Sequence, residues 1–478
     1  MKSICVMSDE HSYRMMSFLK QSPFPLKTPN LDRLAAKSIV FSHAYTNCPV
    51  CAPARSAFFT GKYVHRLGTW DNATPYDGRV PGLSHIFAEN QKHFAVFGKT
   101  HFHCKGHYNF AAEGHAGYMR SADIGCFYRD QWVERIGAKD RYLNISIRPD
   151  EELKRDDKVL ADALAHIAEL KEKDAEDWHV YIGFSDPHFP FRVKQKNWDY
   201  YDERIKTLPA EMKAPFASLN PSLEQLRTYF ASRDLEDGLQ RKLLIGYCAA
   251  VTELDERIGR LLDFLAEEGL DQQTALIYTS DHGEQMGIHG VWWKCTMFED
   301  SAHIPLMLCL PGTKAREITH PVSLVDLYPT LCALAGIRYD ASETDGESLL
   351  GLVEEGGEAY KKDYAFSEYH CHGRKDGLYM IRWRDFKYIF YCDPESRNQL
   401  FNLKDDPEEN HNLLSEDHRE KNEELRQAES ECKKRLYKVC DPYQVDLKAK
   451  TFQAKAKKAL GLREYTEAKA DTVVHPEF

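Results

Sequence analysis

Ser3-Ile4-Cys5-Val6-Met7-Ser8-Asp9-Glu10 sets six small or apolar residues in front of two carboxylates. A short apolar run bounded by charge reads as a strand buried on both faces, the kind that parallel sheets use. The pattern recurs three times: Phe94–Gly98 runs into Lys99, His179–Ser185 into Asp186-Pro187-His188, and Thr274–Ser280 into Asp281-His282-Gly283. Helical spacing lies between. Leu160, Ala163, Leu164, Ile167 and Leu170 form one stripe; Leu243, Leu244, Tyr247, Val251, Leu254, Ile258, Leu261 and Leu265 form another, stopped by Gly269. Strands alternating with helices predict an α/β fold with a large mixed, mostly parallel sheet sandwiched by helices. Ligands in such folds bind beyond the carboxyl ends of the strands, where these runs place charged groups and imidazoles.

Near residue 350 the texture changes. Tyr364–Tyr369, Leu378–Trp383 and Phe386–Tyr391 are rich in aromatic and β-branched residues, divided by the turn signals Arg374-Lys375-Asp376-Gly377 and Asp393-Pro394-Glu395-Ser396. They predict a smaller C-terminal antiparallel sheet, followed by a polar helix over roughly Glu416–Tyr437. The Lys/Ala-rich remainder is weakly patterned and reads as an arm or an oligomer clasp. The expected division is a catalytic α/β domain over 1–350 and a C-terminal subdomain over 351–478, with no internal repeat.

The formal net charge of −11 argues against a nucleic-acid partner, which demands a basic footprint. No run approaches the length needed to cross a bilayer, and the first residues lack the apolar core of a signal peptide. Thirteen cysteines, an odd number without a compact framework, suit reduced thiols. These features together predict a cytoplasmic protein.

Cys51-Ala52-Pro53-Ala54-Arg55, continuing through Ser56-Ala57-Phe58-Phe59 to Thr60-Gly61, is the segment that carries chemistry. Alone, it also suits a buried cysteine at a helix start with a surface arginine. A thiol there is polarised by the backbone N–H groups of the first turn. The segment, with its entry Tyr45-Thr46-Asn47-Cys48-Pro49-Val50, resembles the formylglycine signature of the type I sulfatases, in the alkaline-phosphatase-like superfamily. The resemblance implies that Cys51 is oxidised to an aldehyde by a formylglycine-generating maturation enzyme. Its hydrate offers one hydroxyl to attack sulfur and a second to expel sulfate afterwards, with Arg55 holding the charge of the diol.

Other segments extend the likeness. Asp9, Glu10, Asp281 and His282 match the family's metal positions, where Glu10 stands for the usual Asp or Gln. With the residue at 51 they would hold one divalent cation: hard carboxylates favour Ca²⁺, and the imidazole admits Mn²⁺ or Mg²⁺. Gly98-Lys99-Thr100-His101 resembles the family's Gly-Lys-x-His, which implies that Lys99 binds sulfate and His101 the diol. Asp186-Pro187-His188 supplies a second imidazole, and Lys294 matches a second sulfate-binding lysine. His188 is the expected general acid to the leaving oxygen, assisted by Lys294, and His101 the base that breaks down the sulfated intermediate. Thr69-Trp70-Asp71-Asn72-Ala73 and Cys440-Asp441-Pro442-Tyr443 resemble the choline sulfatase and phosphonate monoester hydrolase branch, which makes Asn72 an active-site amide. The phosphonate hydrolases carry Tyr and Thr in place of the Lys-x-His pair, so Lys99 and His101 favour sulfate. Gln399-Leu400-Phe401-Asn402-Leu403 and Asp406-Pro407-Glu408 carry the likeness to about residue 414.

The implied activity is hydrolysis of a small-molecule sulfate ester, such as a sulfated carbohydrate, to alcohol and sulfate. Choline sulfate and phosphonate or phosphodiester substrates are alternatives, as is a non-enzymatic binding protein whose Cys51 stays unconverted. Trp70, Tyr108, Trp292 and Trp293 are candidates to stack on a sugar or box a quaternary ammonium. A homo-oligomer is compatible with the tail.

Overall fold

The computed structural model describes residues 1–19, 22–120, 123–129, 132–213, 220–354, 359–415 and 423–462. Its centre is β1 (Lys2–Asp9), whose alternating side chains feed two separate cores. Ile4 and Val6 enter one, Cys5 and Met7 the other. A strand apolar on both faces needs a layer on each, and the chain supplies both.

The other strands of this sheet are β2 (Ile39–Phe41), β3 (His93–Gly98), β4 (Ala112–Gly114), β5 (Trp178–Pro187), β6 (Thr274–Ser280), β7 (Leu306–Cys309) and β8 (Arg316–Ile318), in the order β8-β2-β7-β6-β1-β5-β3-β4. β7 runs antiparallel to both neighbours and every other pair is parallel, so the sheet is mixed and mostly parallel as expected. On the Cys5/Met7 face lies α1 (Cys51–Thr60), through Ala54, Phe58 and Phe59. On the Ile4/Val6 face lie α2 (Arg155–Glu172), through its stripe, and α3 (Asp237–Glu267), through Leu254, Ile258, Leu261 and Leu265; the first half of the α3 stripe, Leu243 to Val251, enters another core. A buried leucine contributes roughly 1.5–3 kcal/mol, against at most about 0.7 kcal/mol per residue between ordinary helix formers, so the stripes decide these helices. Gly269 follows α3 at φ 66.

The turn after β3 depends on two glycines. Gly98 has φ 86, and a Cβ there would lie 2.1 Å from the Gly183 carbonyl; a Cβ on Gly183 would lie 2.2 Å from the Lys99 carbonyl. Lys99 N–H donates to Gly183 O at 2.8 Å. Only two residues without side chains allow β3 and β5 to come this close where Lys99 leaves the sheet.

The second sheet is antiparallel in chain order: β9 (Tyr364–Tyr369), β10 (Leu378–Trp383), β11 (Phe386–Tyr391) and β12 (Gln399–Asn402). Its first three strands match the sequence reading; β12, at four residues, was too short to stand apart from a loop. Glu368 on β9 ties it to the main body. Its Oε1 accepts the His65 backbone N–H at 3.0 Å and lies 2.9 Å from His65 Nδ1, while Oε2 lies 2.9 Å from His370 Nε2.

Two helices close the described chain, α4 (Glu423–Val439) and α5 (Pro442–Ala459). Residues 416–422 of the expected polar helix lie outside the described residues, as do residues 463–478 of the expected arm. The rest of that arm is corrected: 442–459 is a packed helix. Asp441 caps it, accepting from Tyr443 and Gln444 N–H, with Pro442 in the first turn. Val445, Ala449, Phe452 and Ala456 form its buried face; two of the four are alanine, too weakly apolar to mark a stripe. No described helix is long and apolar enough to cross a membrane.

Candidate active site

The parallel register brings the carboxyl ends of β1, β5 and β6 together: Ser8 pairs with Ser280, and Asp9 with Pro187 after a register shift that inserts extra residues on β5. Glu10 turns out of β1 at φ 68, and Asp281 Oδ1 accepts its N–H at 3.2 Å. Such a backbone costs a non-glycine residue about 1–3 kcal/mol, held here by the surrounding bonds. His282 Nδ1 lies 2.9 Å from the Gly283 carbonyl, which fixes the proton on Nδ1 and leaves Nε2 as the acceptor.

Cys51 is the first residue of α1, with its Sγ 3.1 Å from His282 Nε2 and 3.7 Å from Asp9 Oδ1. Asp9, Cys51, Asp281 and His282 each offer a ligand atom within 4.8 Å of the others; Asp9, Glu10 and His188 form an adjoining group. Two buried carboxylates, an imidazole and a third carboxylate alongside form a donor set that fits one divalent cation of the Ca²⁺, Mg²⁺ or Mn²⁺ kind.

Arg55 is fully buried rather than on the surface. Its Nε donates to Asp281 Oδ2 at 2.9 Å and its guanidinium NH2 to Asp9 Oδ2 at 3.0 Å; the other end donates to Lys99 O and Tyr181 Oη. Those bonds orient the Asp9 and Asp281 carboxylates; the sequence reading gave Arg55 the charge of the diol. Lys99 Nζ lies 2.6 Å from Asp9 Oδ2 and Lys294 Nζ 3.2 Å from Glu10 Oε1. Both expected sulfate ligands thus sit against the carboxylates expected to hold the metal. Lys294 Nζ is also 2.6 Å from His188 Nε2, while His188 Nδ1 faces the Phe189 carbonyl. His101 stands at φ 57 with its Nδ1 buried and, among the described residues, without a hydrogen-bond partner. Asn72 Oδ1 accepts the Ala52 N–H at 3.1 Å, capping a helix whose own cap residue, Val50, has no acceptor.

Electrostatics follow from burial and these contacts. Burial acts to raise the Asp9 carboxyl, yet Lys99, His188, Arg55 and His282 together hold it well below the usual range. Burial pushes Glu10 up against the pull of Lys294 and His282. Burial lowers His101 and His188 well below 6.5, helped by Lys99 and Lys294 respectively, so both are neutral near pH 7. The Cys51 thiol is pushed up to about 12 by burial and Asp9. Helix polarisation therefore does not make this thiol a ready nucleophile: desolvation beside a carboxylate outweighs it.

Two residues escaped the sequence reading. Glu284 Oε1 accepts the N–H groups of Met286 and Trp293, and burial together with Glu10 raises its carboxyl far above 4.5. Its signal was its place two residues after His282. Tyr181 lies mid-strand, and no sequence signal separated it from core. The four aromatic candidates are buried: Trp70 and Tyr108 are 5% and 6% exposed, Trp292 and Trp293 1% each. They offer no free face to a ligand.

A mostly parallel sheet that gathers carboxylates, lysines and imidazoles around a helix-start cysteine defines a hydrolase of the alkaline-phosphatase-like superfamily. The family model described as Sulfatase matches residues 3–337, and one described as N-sulphoglucosamine sulphohydrolase, C-terminal, matches residues 287–438. The chain belongs to the sulfatase family and is a sulfuric ester hydrolase. It is 32% identical over 406 residues to the choline-sulfatase of Rhizobium meliloti (strain 1021), covering 81% of this chain and 78% of that one. It is 27% identical over 420 residues to arylsulfatase K of Mus musculus, covering 82% and 72%. Among solved structures, a protein in complex with its substrate D-glucosamine-2-N,6-O-disulfate superposes with TM-score 0.72 at 20% identity, covering 92% of this chain and 99% of that one. The phosphonate monoester hydrolase of Agrobacterium radiobacter gives 0.69 at 20%, covering 92% and 95%.

Proposed function

We propose that the protein hydrolyses a small anionic sulfate ester, a sulfated carbohydrate, to alcohol and inorganic sulfate, with formylglycine at position 51 as nucleophile. The observation that carries this reading is the placement of Cys51, at the start of α1 and within ligand distance of Asp9, Asp281 and His282. Its thiol is held protonated; conversion to an aldehyde, which adds water to give a gem-diol, supplies in one diol hydroxyl the nucleophile the site otherwise lacks. Asp9, Glu10, Asp281 and His282 hold one divalent cation, Ca²⁺ first among the candidates; when bound it supplies positive charge at the sulfuryl oxygens. Lys99 and Lys294 turn from their carboxylates to the sulfate. The Lys294 ammonium donates to His188 Nε2, so this pair delivers the proton to the leaving oxygen. Neutral His101, with Nδ1 unpartnered, takes the proton of the hydrate as the intermediate collapses. A formylglycine-generating maturation enzyme is the partner this chemistry needs, and the division at residue 350 and a cytoplasmic location belong to the same reading.

A cleft of about 290 Å³ beside His188 is lined by Lys99, Lys154, Arg155 and Arg192 against Asp156 and Asp186. Such a rim favours an anionic sugar over a quaternary ammonium, and the buried aromatics form no cation box. The choline-sulfatase relative makes choline sulfate the second reading.

The test uses protein whose Cys51 peptide shows the mass deficit of about 18 Da that follows when a thiol becomes a carbonyl. On that material, kcat/KM is compared for sulfated glucosamines, choline sulfate, 4-nitrophenyl sulfate and a phosphonate monoester. The sulfated sugars should lead. A preference for choline sulfate or the phosphonate overturns the substrate class, and full activity with unconverted Cys51 overturns the nucleophile.

A further inference from the structure

Away from Asp9, a second set of donor atoms converges. Cys126 lies in the 3-10 turn Ile124–Phe127, and Cys371 and His372 follow β9. The sulfurs of Cys126 and Cys371 are 3.3 Å apart, and His372 Nδ1 lies 3.2 Å from the first and 2.8 Å from the second. The other ring nitrogen, Nε2, is 3.6 Å from Cys295 Sγ. All four side chains are buried, and the three cysteines are free thiols. Cysteines that serve only as small hydrophobes pack against apolar neighbours; here three sulfurs from separate segments surround one imidazole.

We propose that Cys126, Cys371 and His372 bind one thiophilic d¹⁰ cation, Zn²⁺ or Cu⁺, and that this ion holds the Lys294 segment in place. Two thiols and an imidazole select soft or borderline cations and reject Ca²⁺ and Mg²⁺. Zinc–sulfur bonds of about 2.3 Å and zinc–nitrogen bonds of about 2.0–2.1 Å at tetrahedral angles set the donors roughly 3.5–3.8 Å apart. The observed triangle is tighter by about 0.4–0.5 Å on the sulfur–sulfur and Cys126–His372 edges and by about 0.7 Å on the Cys371–His372 edge, so the Cys371 and His372 side chains must move apart most to open it. Binding releases the thiol protons to solvent, since the thiolate is the ligand.

The link to catalysis runs through His372. A cation on Nδ1 puts the ring proton on Nε2, which then donates to Cys295 Sγ. Cys295 adjoins Lys294 and stands at φ 77, with Trp293 at φ 75, so Lys294 is presented by a backbone with left-handed residues on both sides. Arg374 Nε donates to the Cys295 carbonyl at 3.1 Å and supports the same segment. Lys294 therefore has one positioning device on the carboxylate side, Glu10, and another on the sulfur side.

The experiment uses the full chain, stripped of metal under reductant, incubated with Zn²⁺ or with Cu⁺, desalted and measured by elemental mass spectrometry. Because Zn²⁺ also fits the emptied Asp9 site, the proposal expects one equivalent of Zn²⁺ or Cu⁺ retained beyond what Cys126→Ser and Cys371→Ser retain, and no loss of it in the Cys432→Ser control. Which ion is retained identifies the occupant. Because a variant can fail to fold, the wild type is also alkylated with and without Zn²⁺: bound metal should protect Cys126 and Cys371 several-fold, read peptide by peptide. Hydrogen exchange over 291–297 should slow on loading. No retained ion, retention untouched by the two variants, or a Cys126–Cys371 disulfide in the isolated protein overturns the site. Unchanged exchange over 291–297 with the metal bound overturns the positioning role.

Discussion

His188 has one nitrogen on the Phe189 carbonyl and the other 2.6 Å from Lys294 Nζ, so its catalytic value depends on how badly the leaving oxygen needs a proton. His188→Ala should lower kcat/KM on a sugar sulfate by about 100-fold or more and hardly touch an activated aryl sulfate, read as a leaving-group series; equal losses on both would remove the residue from that role. Glu368 gives a prediction of stability. Burial acts to raise its carboxyl, but His65 and His370 bring it down to about 2 from 4.5. A depressed carboxylate stabilises the fold fully above its unfolded value and stops doing so as pH falls through its folded one. Glu368→Gln should therefore cost about 3 kcal/mol near pH 6.5, with the gap to wild type closing between about pH 4.5 and pH 2, measured by denaturant titration. A gap that stays constant with pH would show that packing, not charge, carries Glu368. At this scale the sequence was most legible where chemistry is unusual. Asp9, Cys51, Asp281, His282, Lys99, His188 and Lys294 all converge. What side chains do to each other was not legible: nothing in the string tells that Arg55 bonds Asp9 and Asp281, or that Asn72 caps α1, because those partners are set by the approach of distant segments.

Elements make different demands. The close approach of β3 and β5 at the end of their pairing rests on Gly98 and Gly183, and a methyl group on Gly183 would sit 2.2 Å from the Lys99 carbonyl. Gly183→Ala should cost about 2 kcal/mol or more and displace Lys99, so residual activity in the folded fraction falls through KM as well as kcat. Unaltered melting and kinetics would mean that the strands separate easily. The same reasoning explains which elements could be read from the sequence. β1, β6 and β9 to β11 announce themselves through apolar runs ended by charge or turn residues. β12 has four residues and α5 a half-alanine face, and each owes its structure to what it packs on rather than to its own pattern.

The whole molecule joins its antiparallel sheet to the main body through a shared apolar core and a few buried polar contacts. One is Glu368; another is Gln453 of α5, whose Nε2 donates to Asp71 Oδ2 at 3.0 Å and to the His370 carbonyl at 2.8 Å. Phe452→Ala should cost about 3–5 kcal/mol if the helix cannot collapse onto the space left, and should lower activity only through the folded fraction. A large loss of activity per folded molecule would instead assign α5 a direct part in the site. Chelation should act on the molecule as a unit too. Removing a bound divalent cation leaves Asp9, Glu10 and Asp281 together, so the melting temperature should drop on chelation and recover with added Ca²⁺, Mg²⁺ or Mn²⁺; no shift would mean that Arg55, Lys99 and Lys294 already balance the carboxylates.

The burial of Cys51, 1% exposed, sets a clock. Once the site has closed, no second protein can reach that sulfur without unfolding its surroundings. The contacts that close over it include His282, whose Nε2 lies 3.1 Å from the sulfur and which is made roughly 230 residues later, and ribosomes add about 5–20 residues per second. Translation alone thus leaves an interval of about 12–46 s in which position 51 is still open to a visitor. A faster-folding chain would be a worse enzyme if the visitor arrives late.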